Sequence, residues 1–147
     1  MYIRVLPLAA AFVLAAGGPV VAKTASNTPL HAVKHWTVGG AGGWDCFTFD
    51  ASAQRLFVTR PDLVVVMDAG TGKSLGEVRP TDGVHGVALA PNLNRGYANN
   101  GKDNSVPVFD LKTLAPLKTI LIERRNPDAI AFDATTAHVF AFNGPLS

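Results

Sequence analysis

His85 is the residue with the clearest capacity for chemistry, because histidine changes charge near neutral pH and can act as a ligand contact or a general base. It stands between two glycines at the entrance to an apolar run. Trp44 and Pro127 hold the matching places before two similar runs, with Asp45 and Asp128 beside them. The histidine and the two carboxylates predict a polar site where the three runs converge. The alternative, a hydrogen-bonded loop histidine with no further role, stays open.

A second group of polar residues falls between predicted strands: Arg60, Asn99, Asn100, Lys102 and Asp103. Such side chains can hold an anion or a sugar at a loop rim. They can equally form an exposed turn, in which asparagine serves the backbone geometry. We favour the exposed turn and keep the binding rim as the alternative.

Other signals for catalysis or metal binding are weak or missing. Residues 70–74, Gly-Thr-Gly-Lys-Ser, look like a phosphate loop, but Met67 occupies the place of the required glycine. Because this segment joins two β-type runs, it predicts a hairpin turn. The four histidines lack metal-ligand spacing, and no Ser-His-Asp order, paired-carboxylate site or dinucleotide signature stands out. We assign no catalytic or metal-binding residue, and no cofactor is evident.

The composition limits the class of protein. The chain has 147 residues, of which 48% are hydrophobic and 16% charged, as expected of one ordinary domain rather than a disordered tail or a coiled coil. The net charge of +2 is too small to imply a nucleic-acid or membrane-surface partner by itself. The single cysteine, Cys46, excludes an internal disulfide framework, and its β-rich neighbours predict that it is buried.

Residues 1–22 predict a secretory signal peptide. Arg4 supplies a positive start, the stretch 5–21 carries no charge, and Val20 and Ala22 stand at the −3 and −1 positions of a cleavage site. An uncleaved membrane anchor is the alternative. We expect a periplasmic or secreted protein with no stable membrane span after cleavage, a linker at 23–35 and one domain at 36–147.

The domain repeats itself with a period near 42 residues, which is typical of repeat architectures. Asp50, Pro91 and Asp133 are 41 and 42 residues apart and mark the ends of three similar apolar runs. The next aromatic residue of each unit also matches: Phe57, Tyr97 and Phe140. The predicted units cover residues 44–84, 85–126 and, incompletely, 127–147.

Each complete unit predicts four short strands, because runs rich in Val, Ile, Phe, Tyr and Thr alternate with Gly, Pro, Asn and Asp. Asp68 and Asp110 end the third runs and are 42 residues apart. The first runs are apolar at nearly every residue, as in a strand covered on both faces. A β-propeller provides that cover, since each four-stranded antiparallel blade packs between two neighbours. The predicted fold class is therefore all-β.

Several segments resemble the YVTN-type β-propeller repeat, most closely that of the exported bacterial YncE-like group: 57–59 (Phe-Val-Thr), 97–100 (Tyr-Ala-Asn-Asn) and 108–114 (Val-Phe-Asp-Leu-Lys-Thr-Leu). The likeness extends over residues 36–144. It implies a seven-bladed ring, of which this chain supplies about two and a half blades, and we therefore expect an amino-terminal fragment. It also implies that the first strand of each blade lines a central channel. The candidate ligand-binding residues at the channel mouth are then Trp44, Asp45, His85, Asn126 and Asp128.

The resemblance favours a non-catalytic scaffold that binds an unknown small molecule or a protein. Two alternatives stay open. One is part of a propeller enzyme, either a lactonase-type hydrolase or a quinoprotein-like or haem-linked oxidoreductase. The other is binding of single-stranded nucleic acid, in which an aromatic residue such as Trp44 stacks on a base. Unrelated functions share the propeller fold, so the fold alone does not choose among them.

Overall fold

The computed structural model describes residues 31–123 and 126–145. The predicted signal peptide and residues 23–30 of the predicted linker lie outside the described residues. The chain divides into a unit before Trp36 and a compact unit from Trp36 onward, and the fold below is that of the second unit. No helix in the described part of the chain has the length and apolar character needed to cross a membrane.

In residues 31–123 and 126–145, ten β-strands form three antiparallel sheets, which confirms the all-β fold class. The first sheet has the order β1 (Phe47–Asp50), β2 (Arg55–Thr59), β3 (Val64–Asp68) and β4 (Ser74–Val78). The second has the order β5 (Val84–Ala90), β6 (Arg95–Asn100), β7 (Ser105–Asp110) and β8 (Pro116–Leu121). β9 (Pro127–Asp133) pairs with β10 (His138–Asn143), and Pro91–Leu93 form a short 3-10 turn. Strands adjacent in sequence are adjacent in space, as in propeller blades.

The turns repeat along with the strands. After β3, Asp68 Oδ1 accepts hydrogen bonds from the backbone N–H and the hydroxyl of Thr71, both at 2.7 Å. After β7, Asp110 Oδ1 accepts the same two bonds from Thr113, at 2.8 and 3.1 Å. These bonds favour the ionised carboxylates and hold the pKa of both aspartates below the ordinary value. The repeated Asp-x-x-Thr pattern therefore encodes a repeated turn.

The first apolar core lies between the first and second sheets. Phe57, from β2, is fully buried and its ring centroid is 6.1 Å from that of Phe109, from β7. A Cβ atom on Gly96 would lie only 2.1 Å from the Phe109 ring, so the glycine makes room for that ring. Val66 and Val87 bury their side chains in the same cluster. The two sheets thus shield each other from water, as stacked blades do.

The second apolar core lies between the second sheet and the β9–β10 pair. Tyr97 and Val108 are buried there, and Ile130 and Val139 pack against them. Tyr97 occupies the position in β6 that Phe57 occupies in β2, since the residues two before them, Arg95 and Arg55, begin their strands. The repeated aromatic residue therefore fills the interface with the following sheet in both cases.

Cys46 is exposed, and the prediction that it is buried was wrong. The prediction placed it within a covered strand, whereas β1 begins one residue later, at Phe47. Its backbone N–H donates to Thr59 Oγ1 at 2.8 Å, which fixes the main chain and leaves the thiol at the surface. The segment 70–74 joins β3 to β4, as the hairpin prediction required.

Candidate functional site

The strand register places a β-bulge at His85. Val84 pairs with Asn100 and Gly86 with Asn99, so that His85 lies between two consecutive pairs without a partner of its own. A bulge redirects a side chain out of the regular pleat and is common beside functional sites. The imidazole thereby faces Asp45 and Asp128 rather than either apolar core.

Asp128 sits in the corresponding bulge of the β9–β10 pair. Asn143 pairs with Pro127 and the preceding residue, Phe142, pairs with Ala129, which leaves Asp128 unpaired. The β-bulge that orients His85 is therefore repeated one unit later, with a carboxylate in place of the imidazole.

The register also makes Asp45 the counterpart of both residues. Asp50, Ala90 and Asp133 are the last paired residues of the three first strands, opposite Arg55, Arg95 and His138. Asp45, His85 and Asp128 each stand five residues before them. Three equivalent positions in three successive units therefore supply two carboxylates and one imidazole.

This register corrects the prediction that Trp44 and Pro127 are the equivalents of His85. The sequence comparison aligned Pro91 with the ends of the other two first strands. In the structure Pro91 begins the 3-10 turn, and Ala90 is the residue that ends β5. The alignment was wrong by one residue because proline, which favours the first turn of a helix, stood where the other units have aspartate.

The three side chains converge. His85 Nδ1 lies 2.7 Å from Asp45 Oδ2 and 3.7 Å from Asp128 Oδ1. The first distance is that of a hydrogen bond, and the pair becomes an ion pair when His85 is protonated. All three side chains remain partly exposed, so the cluster is open to a ligand from solvent. We call Asp45, His85 and Asp128 the mouth cluster.

Gly101 sets the spacing on the other side of the imidazole. A Cβ atom on Gly101 would lie 2.5 Å from His85 Nε2 and 2.8 Å from Asn126 Oδ1. Both polar atoms therefore approach the main chain at Gly101 in a way that any larger residue would prevent. Asn126 donates from its Nδ2 to the carbonyl of Pro145 at 3.2 Å. The structure thus brings Asn126 next to the mouth cluster.

A pocket of about 200 Å³ opens beside the mouth cluster. Trp44, Asp45 and His85 line it together with Arg60, Pro61 and Val84. The Trp44 side chain is 69% exposed, which is high for the largest aromatic residue. An exposed indole next to carboxylates offers a π face and negative charge to the same small ligand.

The predicted loop rim does not exist as one surface. Lys102 and Asp103 are exposed in the turn between β6 and β7, but Arg60, Asn99 and Asn100 are buried. The expectation that Asn99 and Asn100 form an exposed turn was wrong, because β6 continues through both of them. Asparagine is rare in strands, so its presence masked the continuation of the strand.

The buried polar residues have structural hydrogen bonds. Asn99 accepts from the Gly86 N–H at 2.6 Å through Oδ1 and donates from Nδ2 to the carbonyl of Pro127 at 3.1 Å. It therefore ties the second sheet to β9. Arg60 Nη2 donates to the carbonyls of Gly40 and Ala41, at 3.0 and 2.9 Å. This guanidinium anchors the segment before β1 and also lies in the wall of the pocket beside the mouth cluster.

The described residues contain no group of three or more His, Cys, Asp or Glu side chains arranged to hold a metal ion. Among them, the side-chain hydrogen-bond partner of the His85 ring is Asp45, and no hydroxyl or thiol bonds to that ring. An imidazole–carboxylate pair can bind a ligand or accept a proton from a substrate, whereas a covalent mechanism would need a nucleophile beside it.

Comparison with known proteins supports the fold. No protein-family model matches the sequence, and no curated protein matches it significantly. Among solved structures, Kuenenia stuttgartiensis hydrazine synthase is similar over 77% of this chain and 32% of its own, with 21% identity and a TM-score of 0.65. The β-propeller domain of Myceliophteria thermophila Cps50 (Swd1) is similar over 63% of this chain and 30% of its own, with 15% identity and a TM-score of 0.55.

These likenesses are too distant in sequence to carry a function across. The chain spans about a third of the length of the solved structures it matches. The match to propeller structures agrees with the stacked antiparallel sheets and with the two apolar cores between them. The chain is therefore similar to part of a β-propeller, and its sheets are propeller blades.

Proposed function

We propose that this chain is a non-catalytic ligand-binding module of the β-propeller type, and that the mouth cluster holds a small organic cation. The observation that carries the proposal is the convergence of Asp45, His85 and Asp128 from equivalent positions of three successive units, two of which are β-bulges. A repeated bulge that turns polar side chains toward one point is costly to strand pairing. Its repetition is best explained by a task at that point.

The charges of the mouth favour a cation. Asp45 and Asp128 bring two negative charges, against the guanidinium of Arg60 in the pocket wall and at most one positive charge on His85. The basic side chains near the site already have partners, since Arg60 Nη2 bonds to two carbonyl groups and Lys102 Nζ lies 3.3 Å from Asp82 Oδ1. A phosphate or carboxylate ligand would meet repulsion here, whereas an ammonium group would meet two acceptors.

Trp44 adds an apolar and polarisable wall. A cation over the face of an indole ring is attracted by about 0.5–1 kcal/mol at exposed sites and more where water is displaced. The pocket volume of about 200 Å³ admits a group the size of a small amine or a quaternary ammonium head. The combination of carboxylates with an exposed indole suits such a ligand better than a neutral sugar.

The proposal is tested by titrating the protein with choline, putrescine, glucose and inorganic phosphate while recording amide chemical shifts. We expect choline or putrescine to shift the signals of Gly101 and His85 in a saturable way, and glucose and phosphate to leave them unchanged. Asp45→Asn combined with Asp128→Asn should weaken cation binding at least tenfold, because it removes both negative charges. Binding of phosphate, or cation binding that survives the double substitution, would contradict the proposal.

His138→Ala is the matched control. This histidine begins β10 and pairs with Asp133, at the end of the strand opposite to the mouth. Its removal changes the histidine content without touching the cluster. We expect the same cation affinity as in the unaltered chain.

A second candidate function is hydrolysis with His85 as general base, and the 2.7 Å contact with Asp45 favours it. In such a site the carboxylate orients the imidazole, and the imidazole activates water. The test is turnover of a small ester or lactone as a function of pH. A rate equal to that of buffer, or an unchanged rate in His85→Ala, would reject this candidate. A redox role would need a bound cofactor, and the side chains that the mouth cluster offers to hold one are Asp45, His85 and Asp128.

Binding of single-stranded nucleic acid remains the weaker alternative, because the two carboxylates of the mouth repel phosphate groups. It predicts an affinity that falls steeply with salt. The assignment to the YncE-like group and the periplasmic or secreted location stay predictions. They rest on the repeat motifs and on residues 1–22, and detection of the processed protein in a periplasmic fraction would test the location.

A further inference from the structure

Four phenylalanine side chains are exposed on two faces of the blade stack. Phe47 and Phe49 of β1 are 64% and 50% exposed, and Phe140 and Phe142 of β10 are 48% and 55% exposed. We call the first two the β1 face and the last two the β10 face. Clusters of exposed large apolar residues mark interaction sites in soluble proteins.

The β1 face has an internal counterpart that shows how it packs. Phe47 and Phe49 stand three and one residues before the end of β1, where Val87 and Leu89 stand in β5. Val87 is buried in the core between the first and second sheets, and Leu89 packs against that core. The positions of the β1 face are therefore those that contact the preceding blade.

The β10 face also has internal counterparts. Phe140 occupies the position of Phe57 in β2, which is buried against the following sheet. Phe142 occupies the position of Thr59, whose hydroxyl lies 3.3 Å from the carbonyl of His85 in that sheet. The positions of the β10 face are therefore those that contact the following blade.

The two faces are thus the two sides of one type of interface, which the chain forms twice within itself. We propose that a second copy of this chain docks on the first, with the β1 face of one copy against the β10 face of the other. Every copy carries one face of each kind. The association is head to tail, and it gives a closed dimer when both junctions form at once or a chain of copies otherwise.

The proposed contact uses the first two strands of a unit rather than its last two. Residues 37–40 line a pocket with Val65 and Met67 of β3, so the segment before β1 already lies along that part of the first sheet. The two internal interfaces are likewise made mainly by the first two strands of each unit: β5 contacts β1, β2 and β9, and β6 contacts β9. Phe47 and Phe49 therefore lie in the zone that the internal interfaces use.

The test is sedimentation velocity on the full chain and on two face variants, Phe49→Asp and Phe140→Asp. We expect the unaltered chain to associate, and each variant alone to associate at least tenfold more weakly. A 1:1 mixture of the two variants should associate again, because the β10 face of Phe49→Asp and the β1 face of Phe140→Asp are intact. Only a head-to-tail contact predicts this recovery.

Leu121→Asp is the matched control. Leu121 ends β8 and is 80% exposed, and it belongs to neither the β1 face nor the β10 face. It should associate as the unaltered chain does, and circular dichroism should show that all variants keep their β-structure. An unaltered chain that stays monomeric at concentrations up to about 1 mM would overturn the proposal. So would association that persists in both face variants, as expected of contacts through residues 1–30, or a mixture that stays monomeric.

Discussion

The stacking of blades predicts that Phe57 contributes far more to the free energy of unfolding than Phe140, which holds the same position in the third unit. Phe57→Ala removes a fully buried ring from the core between the first and second sheets. The substitution removes the ring's contact with Phe109, whose centroid is 6.1 Å away, and its contact with the guanidinium of Arg55, which lies 5.3 Å from the ring centroid and keeps its ion pair with Asp50.

The expected loss follows from the burial of the ring. A buried Phe→Ala substitution costs about 3–5 kcal/mol, because apolar burial is lost and a cavity remains. About 0.5–1.5 kcal/mol of this belongs to the aromatic pair. A domain of this size is stable by about 5–15 kcal/mol, so Phe57→Ala should remove a large share of the free energy of unfolding.

Phe140→Ala is the control, because Phe140 holds the same position in β10 and is half exposed. Surface substitutions change the free energy of unfolding by about 0.5 kcal/mol, and we expect a loss below about 1 kcal/mol here. Both variants are measured by urea unfolding, followed by circular dichroism, at a concentration where the chain is monomeric. Equal losses for the two variants would refute the blade-stacking interpretation.

Three further outcomes are expected. Asn99→Ala should lower the free energy of unfolding by about 2–4 kcal/mol in urea unfolding, because it leaves two buried backbone groups unpaired, and a loss below about 1 kcal/mol would argue against the tie that Asn99 makes between the second sheet and β9. Burial acts to raise the pKa of Asp50, but hydrogen bonds from its neighbours, including Arg55, outweigh burial and lower the pKa. The stability that ionised Asp50 provides is therefore present above its unfolded pKa of about 3.9 and is lost as the pH falls through the folded value. The free energy of unfolding should accordingly depend less steeply on pH, between about pH 2 and 7, in Asp50→Asn than in the unaltered chain. Gly101→Ala should displace His85 and change its ring signals in NMR spectra while the fold persists, and unchanged signals would contradict the geometry of the mouth.

The sequence was sufficient to predict the fold, because the information is local and repeated. Most strands are short runs rich in apolar residues, and the turns repeat their own chemistry, as Asp68 and Asp110 show with their hydrogen bonds to Thr71 and Thr113. A pattern that recurs after about 42 residues multiplies a weak signal. The need to cover apolar strands on both faces then leaves stacked blades as the simplest architecture.

The sequence was less informative about individual polar residues. Arg60 and Asn99 are of types that normally face water, yet both are buried with their hydrogen-bonding groups satisfied by main-chain atoms. No local pattern predicts this, because the partners are 13 to 28 residues away in the chain. The prediction for Cys46 was wrong in the opposite sense, because a residue expected to be buried is exposed. The start of β1 one residue later, at Phe47, decided this.

Residue types alone determined that His85, Asp45 and Asp128 were candidates, since few other side chains in the apolar runs can bind or transfer a proton. The tertiary structure decided that they meet. Their convergence depends on the unpaired residue in each of the two bulges, on the packing of successive sheets against one another and on the space left by Gly101. Those quantities come from packing between distant segments, and a linear pattern of residues does not contain them.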